Sequence, residues 1–172
     1  MLSLDKYSGT ELRWFRRGFA SKNHSLVGDN GETYAKLTVA GMIRSYARLE
    51  TDLKQYKLFW SGFVRRRVKI VDLDDGQLMG ELYLGITDSG EFRFDGVRYP
   101  FRHNLLGSHY MVTNDLGSPL FSIRDKLLAG KGLPVTLWPG ARLNRQLLVM
   151  MASVRYALIM IRQEAYAPIA QG

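Results

Sequence analysis

The densest chemistry in this chain lies in Phe63-Val64-Arg65-Arg66-Arg67-Val68-Lys69-Ile70. A strand sends alternate side chains to opposite faces, so Arg65, Arg67 and Lys69 fall on one face. Val64, Val68 and Ile70 fall on the other, with Arg66 among them. Cations about 6.6 Å apart along a strand make a row suited to phosphate groups. Arg16 and Arg17, in Glu11-Leu12-Arg13-Trp14-Phe15-Arg16-Arg17-Gly18-Phe19, extend the set, with Trp14, Phe15 and Phe19 as interfacial aromatics. The competing reading of the row is a solvated outer sheet face whose charges oppose aggregation.

Other residue types offer less. Asp72-Leu73-Asp74-Asp75-Gly76 resembles a calcium loop only in part. An EF-hand needs Gly at position six and Glu at position twelve, whereas here Gly76 is fifth and Tyr83 twelfth. A hairpin turn accounts for the cluster. His24, His103 and His109 lack the i, i+4 spacing of a helical zinc site. His103 and His109 are near enough to meet across a loop, but surface or turn positions explain all three. The chain has no cysteine, which excludes disulfides, thiolate metal sites and a Cys nucleophile. No G-x-S-x-G, Walker A or G-x-G-x-x-G occurs, so no catalytic residue, metal or cofactor is expected.

Antiparallel strands must position the basic row. Asn30-Gly31, Asp75-Gly76, Ser89-Gly90 and Asp95-Gly96 are hairpin-type dipeptides between strand-forming residues. Phe92, Phe94, Val97, Tyr99 and Phe101 alternate with polar residues about Asp95-Gly96, and Pro100 marks an edge or a bulge. Strands are expected at Ser25–Val27, Thr33–Val39, Tyr46–Glu50, Tyr56–Trp60, Gly62–Val71, Gln77–Leu84, His109–Thr113, Pro119–Arg124 and Leu133–Trp138, ten to twelve in all. Leu53–Leu58 also reads as a helical turn.

A different pattern follows. Leu147–Ile161, LLVMMASVRYALIMI, is apolar apart from Ser153 and Arg155. At 100° per residue, Leu147, Met151, Val154 and Leu158 cover one side, and Val149, Tyr156 and Met160 the opposite one. Such a helix must be surrounded by protein or by lipid. A membrane span needs about 20 apolar residues, and this run reaches only about 22 Å with a charge in its middle. Burial within the protein is the better reading, ahead of a span or a dimer interface. The helix is expected from about Leu143 to Ala165, stopped by Pro168. A flat sheet would leave one side of it wet, whereas a closed sheet buries the whole circumference and removes exposed edges. The fold expected is therefore mainly β: a closed antiparallel barrel of 10–12 strands around a central hydrophobic C-terminal α-helix. It forms one domain over residues 1–172 with its core at about 20–165. In that setting Arg66 should pair with a carboxylate or reach a barrel rim, and Arg155 should pair with an Asp, a Glu or a strand carbonyl.

The turn-then-strand units ITDSGEFRFDGVRYPFR and YMVTNDLGSPLFSIRD, followed by LLVMMASVRYALIMI, resemble the tubby C-terminal-like superfamily. That group includes the LURP-one-related and phospholipid scramblase-like proteins. The resemblance covers residues 20–165 as a pattern of elements rather than a signature of site residues. It implies a barrel of about a dozen strands around a hydrophobic helix, and phosphoinositide binding or lipid scrambling among the functions of its relatives.

Charge points the same way. The chain carries +8 in all; residues 1–67 hold 13 Lys/Arg against 6 Asp/Glu, and residues 68–172 hold 11 against 10. The expected protein is non-enzymatic and binds an anionic membrane surface or a protein partner. The rival is a nucleic-acid-binding barrel with Tyr56, Phe59, Trp60 and Phe63 as a stacking platform. The start of the chain lacks signal-peptide character, which favours the cytoplasm, with peripheral membrane association.

Overall fold

A computed structural model describes residues 1–16, 18, 21–40, 46–62, 65–104, 109–125 and 132–166. Twelve strands form one closed antiparallel barrel in chain order. They are β1 (Glu11–Arg16), β2 (Asn23–Gly28), β3 (Thr33–Ala40), β4 (Tyr46–Glu50), β5 (Gln55–Ser61) and β6 (Arg66–Asp72). The second half comprises β7 (Leu78–Leu84), β8 (Gly90–Phe94), β9 (Val97–Asn104), β10 (His109–Thr113), β11 (Pro119–Arg124) and β12 (Leu133–Leu137). Each strand pairs with its successor, and β1 closes the ring on β12 through Glu11↔Thr136, Leu12↔Val135, Arg13↔Pro134 and Trp14↔Leu133. The ring thus begins ahead of residue 20, where the sequence pattern placed its start.

Alternation puts Leu26, Leu37, Leu49, Leu58, Ile70, Leu82 and Phe92 inside. The helix α1 (Leu147–Tyr166) fills the space they enclose. Leu147, Met151, Val154 and Leu158 on one side and Val149, Tyr156 and Met160 on the other are each at most 5% exposed. That all-round burial is what an apolar circumference demands. Burying each such side chain contributes about 1.5–3 kcal/mol, so the helix and the strand faces stabilise one another.

The helix starts later than the sequence pattern indicates. Ala141–Leu143 is a 3₁₀ turn, and Asn144 after it is extended. The Asn144 side-chain oxygen accepts the Gln146 N–H at 2.9 Å, the kind of local bond that favours a helix entry over a helix interior. Pro168 lies outside the described residues.

Two turns also differ from the reading above. The stretch Gly62–Val71 is not one strand: β5 ends at Ser61, Gly62 adopts φ 88°, and β6 begins at Arg66. A Cβ on Gly62 would lie 2.1 Å from the Arg65 carbonyl oxygen, so the chain doubles back tightly there. The β7–β8 turn sits at Ile86–Asp88, with Asp88 at φ 57°, ahead of Ser89-Gly90. Gly90 opens β8, where a Cβ would meet the Tyr83 carbonyl oxygen at 1.7 Å. Leu53–Leu58 resolves into a turn and β5, closed by the Thr51 N–H donating to the Lys54 carbonyl. Pro100 pairs with Glu91 but lies past the last β9–β10 pair at Phe101, where its missing N–H leaves no gap in that ladder.

Because the strands alternate in direction, the barrel has two distinct ends. The turns β2–β3, β4–β5, β6–β7, β8–β9 and β10–β11 surround the start of α1, the entry end. The opposite strand ends surround its C-terminal turns, the exit end, where the Trp60 Nε1–H donates to Glu164 at 2.7 Å.

Truncation of Met151, fully buried on the helix, tests the enclosure. Met151→Ala should cost about 2–5 kcal/mol in urea unfolding. A loss below about 0.5 kcal/mol, usual for a surface position, would contradict it.

Candidate anion-binding face

On β6 the faces divide as alternation requires: Val68 and Ile70 are fully buried, and Arg67 and Lys69 face outward. Arg65 is exposed but lies in the β5–β6 turn, so the row is two strand cations and one turn cation. The Arg67 Nε–H donates to Ser61 Oγ at 3.0 Å, and its guanidinium lies 3.8 Å from the Glu81 carboxylate. Lys69 stands between Phe59 on β5 and Glu81 on β7 in register. Glu81 also accepts the Tyr83 hydroxyl, which pushes the phenol above its ordinary pKa. Arg66 pairs with Asp88 at 2.6 Å and donates to the Gly85 carbonyl at 3.0 Å, at the exit-end rim.

Arg16 does not extend this row. It ends β1, five strands around the ring from β6, and its Nε–H donates to the Ser21 carbonyl at 2.8 Å. Arg17, Phe19 and Phe63 lie outside the described residues. Trp14 is core rather than interfacial, while Phe15 is exposed.

The row belongs to a wider cationic surface. Lys36, Arg48, Lys57, Arg93, Arg98 and Arg102 face outward on β3–β5, β8 and β9, with Glu50, Glu81 and Glu91 interspersed. The Lys57 ammonium sits 4.5 Å over the Tyr46 ring and 4.8 Å over Phe59, and the Arg93 guanidinium 4.5 Å over Tyr83. These aromatics already hold cations against their rings. Tyr56 and Trp60 point into the barrel. Among the described residues, therefore, Tyr56, Phe59 and Trp60 do not share one exposed face as a stacking platform would.

The two ends differ in charge. Asp29, Asp52, Asp74, Asp75, Asp95 and Asp115 lie in the entry-end turns, against Lys54, Arg142 and Arg145. Arg16, Lys22, Arg65, Arg66, Arg124 and Arg162 cluster toward the exit end, against Asp88, Asp125 and Glu164. The acidic Asp72–Gly76 segment is a turn: the Asp72 carboxylate accepts the Asp74 N–H at 2.9 Å and pairs with Lys54 at 2.5 Å, which holds its pKa down. No His/Asp/Glu group able to hold a metal occurs among the described residues. A cleft of about 470 Å³ opens at the entry end between Leu4, Lys54, Tyr56, Met79 and the first turn of α1.

Inside the exit end lies a group that alternation alone does not reveal. Arg155 is 9% exposed, and its guanidinium contacts His24 Nδ1 at 3.2 Å rather than the expected carboxylate or carbonyl. The nearby Asp125 carboxylate is engaged by Arg162. His24 is 4% exposed and buried, not at the surface or in a turn. Burial first, then the Arg155 and Arg16 charges, depresses its pKa to about 3, so it stays neutral. Burial likewise lowers Arg155 to about 10, with Arg162 and Arg16 adding to the effect. The His103 ring stacks on Tyr110 at 4.1 Å, and Tyr110 is pushed up to about 12 by burial and then by Asp125 and Asp88. His103 pairs with Tyr110 and His109 with Asn104, so the two histidines occupy opposite faces and form no joint site.

No protein-family model, curated protein or solved structure matches this chain. No helix among the described residues is long and apolar enough to cross a membrane.

The buried histidine makes stability depend on pH. Unfolded, His24 takes a proton near pH 6.5; folded, only near pH 3. Between those values the unfolded chain binds more protons, so stability should fall as pH drops, by up to about 1.4 kcal/mol per unit from this residue. Urea unfolding at pH 7, 6 and 5 should show that slope, flattened in His24→Asn. Equal slopes in the two proteins would rule out a buried neutral imidazole.

Proposed function

We propose that the protein is a non-enzymatic barrel that binds anionic phospholipid headgroups, acting in the cytoplasm as a peripheral membrane protein. The observation that carries this reading is the exit-end edge of the cationic face. Arg65 and Arg66 close the β5–β6 turn, and the adjoining β7–β8 turn projects Ile86, 94% exposed. Arg66 is held by Asp88, but the exposed Arg65 beside a projecting aliphatic residue matches a membrane interface: the cation meets phosphates, and the apolar side chain enters the headgroup–acyl boundary. Arg67 and Lys69 continue the positive surface down β6, and Lys57, Arg93 and Arg98 widen it. The resemblance to tubby-like and scramblase-like proteins agrees with this reading.

Vesicle flotation tests it. Each cation near an anionic surface contributes about 1 kcal/mol, so Arg65→Ala, Arg67→Ala and Lys69→Ala together should weaken binding to phosphatidylserine vesicles on the order of a hundredfold. Ile86→Asp should weaken it further, and wild-type binding should fall with salt. Equal binding to neutral and anionic vesicles would overturn the proposal. So would tight, salt-dependent binding to single-stranded nucleic acid without flotation.

A further inference from the structure

The entry-end cleft of about 470 Å³ is lined by the first turn of α1 together with Leu4, Tyr56 and Met79. Pockets of roughly 300–1,000 Å³ are the usual size for small-molecule sites. The helix opens into this one with donors to spare. Asn144 serves the two N–H groups that lead in: its side-chain oxygen accepts from Gln146 and its carbonyl from Leu147. Met150 is the first to bond back in the α-helical pattern, to the Gln146 carbonyl. In between, the Leu148 and Val149 N–H groups meet no acceptor among the described residues, and both residues line the cleft. No acidic side chain stands in that first turn to offset the positive end of the helix dipole.

A further donor reaches the cleft from the strands. Tyr56, on the inner face of β5, is 8% exposed and lines the cleft, yet its hydroxyl makes no hydrogen bond among the described residues. A buried phenol ordinarily has such a partner. Asp72, opposite Tyr56 in register, is taken by Lys54 and by the Asp74 N–H. Asp5 and Asp52 also line the cleft, but neither accepts from Tyr56 or from the helix end. They stand against Lys54, Arg142 and Arg145, of which Arg145 is exposed and has no ion pair among the described residues. A helix N-terminus favours a negative group, while two carboxylates in the lining make a dianion costly. A carboxylate meets both conditions with one charge and two accepting oxygens, and Leu4, Met79 and Leu148 offer apolar surface to the rest of such a molecule. We propose that the entry-end cleft binds a free aliphatic monocarboxylate, its oxygens taken by the Leu148 and Val149 N–H groups and the Tyr56 hydroxyl. The site lies at the opposite end of the barrel from Arg65 and Ile86 and does not depend on membrane binding there.

Titration of the full chain with octanoate at constant ionic strength, followed by calorimetry and by amide NMR, tests the site. Binding should saturate, and the Leu148 and Val149 amide signals should move with the same half-saturation as the heat. Octan-1-ol, which keeps the chain and loses the charge, should bind at least about tenfold more weakly. Shortening the ligand to hexanoate and butanoate should weaken binding by up to about fourfold per methylene. Tyr56→Phe removes the hydroxyl and keeps the ring in the core; it should fold as the wild type does and bind octanoate at least about tenfold more weakly. The triple variant Arg65→Ala, Arg67→Ala, Lys69→Ala should bind octanoate as tightly as wild type, so loss of vesicle binding would leave this site standing. The proposal is overturned if octanoate leaves the Leu148 and Val149 amides unmoved. It is equally overturned if octan-1-ol binds as tightly as octanoate, or if Tyr56→Phe binds octanoate as the wild type does.

Discussion

A helix that is apolar around its whole circumference leaves the rest of the chain one task, complete enclosure. Met151, Val154 and Tyr156 point in different directions, yet all are fully buried, and a single sheet layer can cover only one of those directions. Closure follows from that demand. Smaller barrels fill their interiors with strand side chains, whereas a wider ring would hold open space unless something occupied it. Here α1 is the occupant. The pairing of β1 with β12 is then more than an edge contact, because it completes the wall around the helix.

Enclosure also sorts the polar residues. With alternate strand positions committed to the helix, the remaining ones face water, and charge accumulates there without disturbing the core. Arg67 and Lys69 are outward because Val68 and Ile70 must be inward. The tight places in the wall are met by residues without side chains: Gly90 sits where a Cβ would collide with the Tyr83 carbonyl. One exception to the sorting is Arg155, a cation on the occluded helix, whose guanidinium contacts the neutral His24 imidazole with the Asp125 carboxylate nearby.

The parts of this arrangement legible in the sequence are those set by local period. The seven positions of Leu147–Met160 quoted for opposite helix sides reveal burial all round, and Asp95-Gly96 marks its turn. The β5–β6 turn is hidden because Val64, Val68 and Ile70 keep the period of one strand face, and the marks against a continuous strand are Gly62 and the cation Arg66 on that apolar face. The helix start is displaced because the apolar run gives no weight to a side-chain bond such as that from Asn144 to Gln146. The pairing of Arg155 with His24 spans 131 residues and carries no local signature at all. Among the candidate cations, spacing along β6 placed Arg67 and Lys69 together. It could not show that Arg16 stands five strands away, since that distance exists only once the ring is closed.

The order of elements along the chain also governs how the molecule comes to exist. The first strand waits for the twelfth, and both wait for the helix that follows them in the chain. During synthesis Leu12, Trp14, Leu26 and Leu37 emerge with no interior to enter. Their lasting shelter depends on Leu147–Tyr166, more than a hundred residues later. Such long-range closure is slow and leaves sticky intermediates exposed until α1 has emerged and packed against the strands.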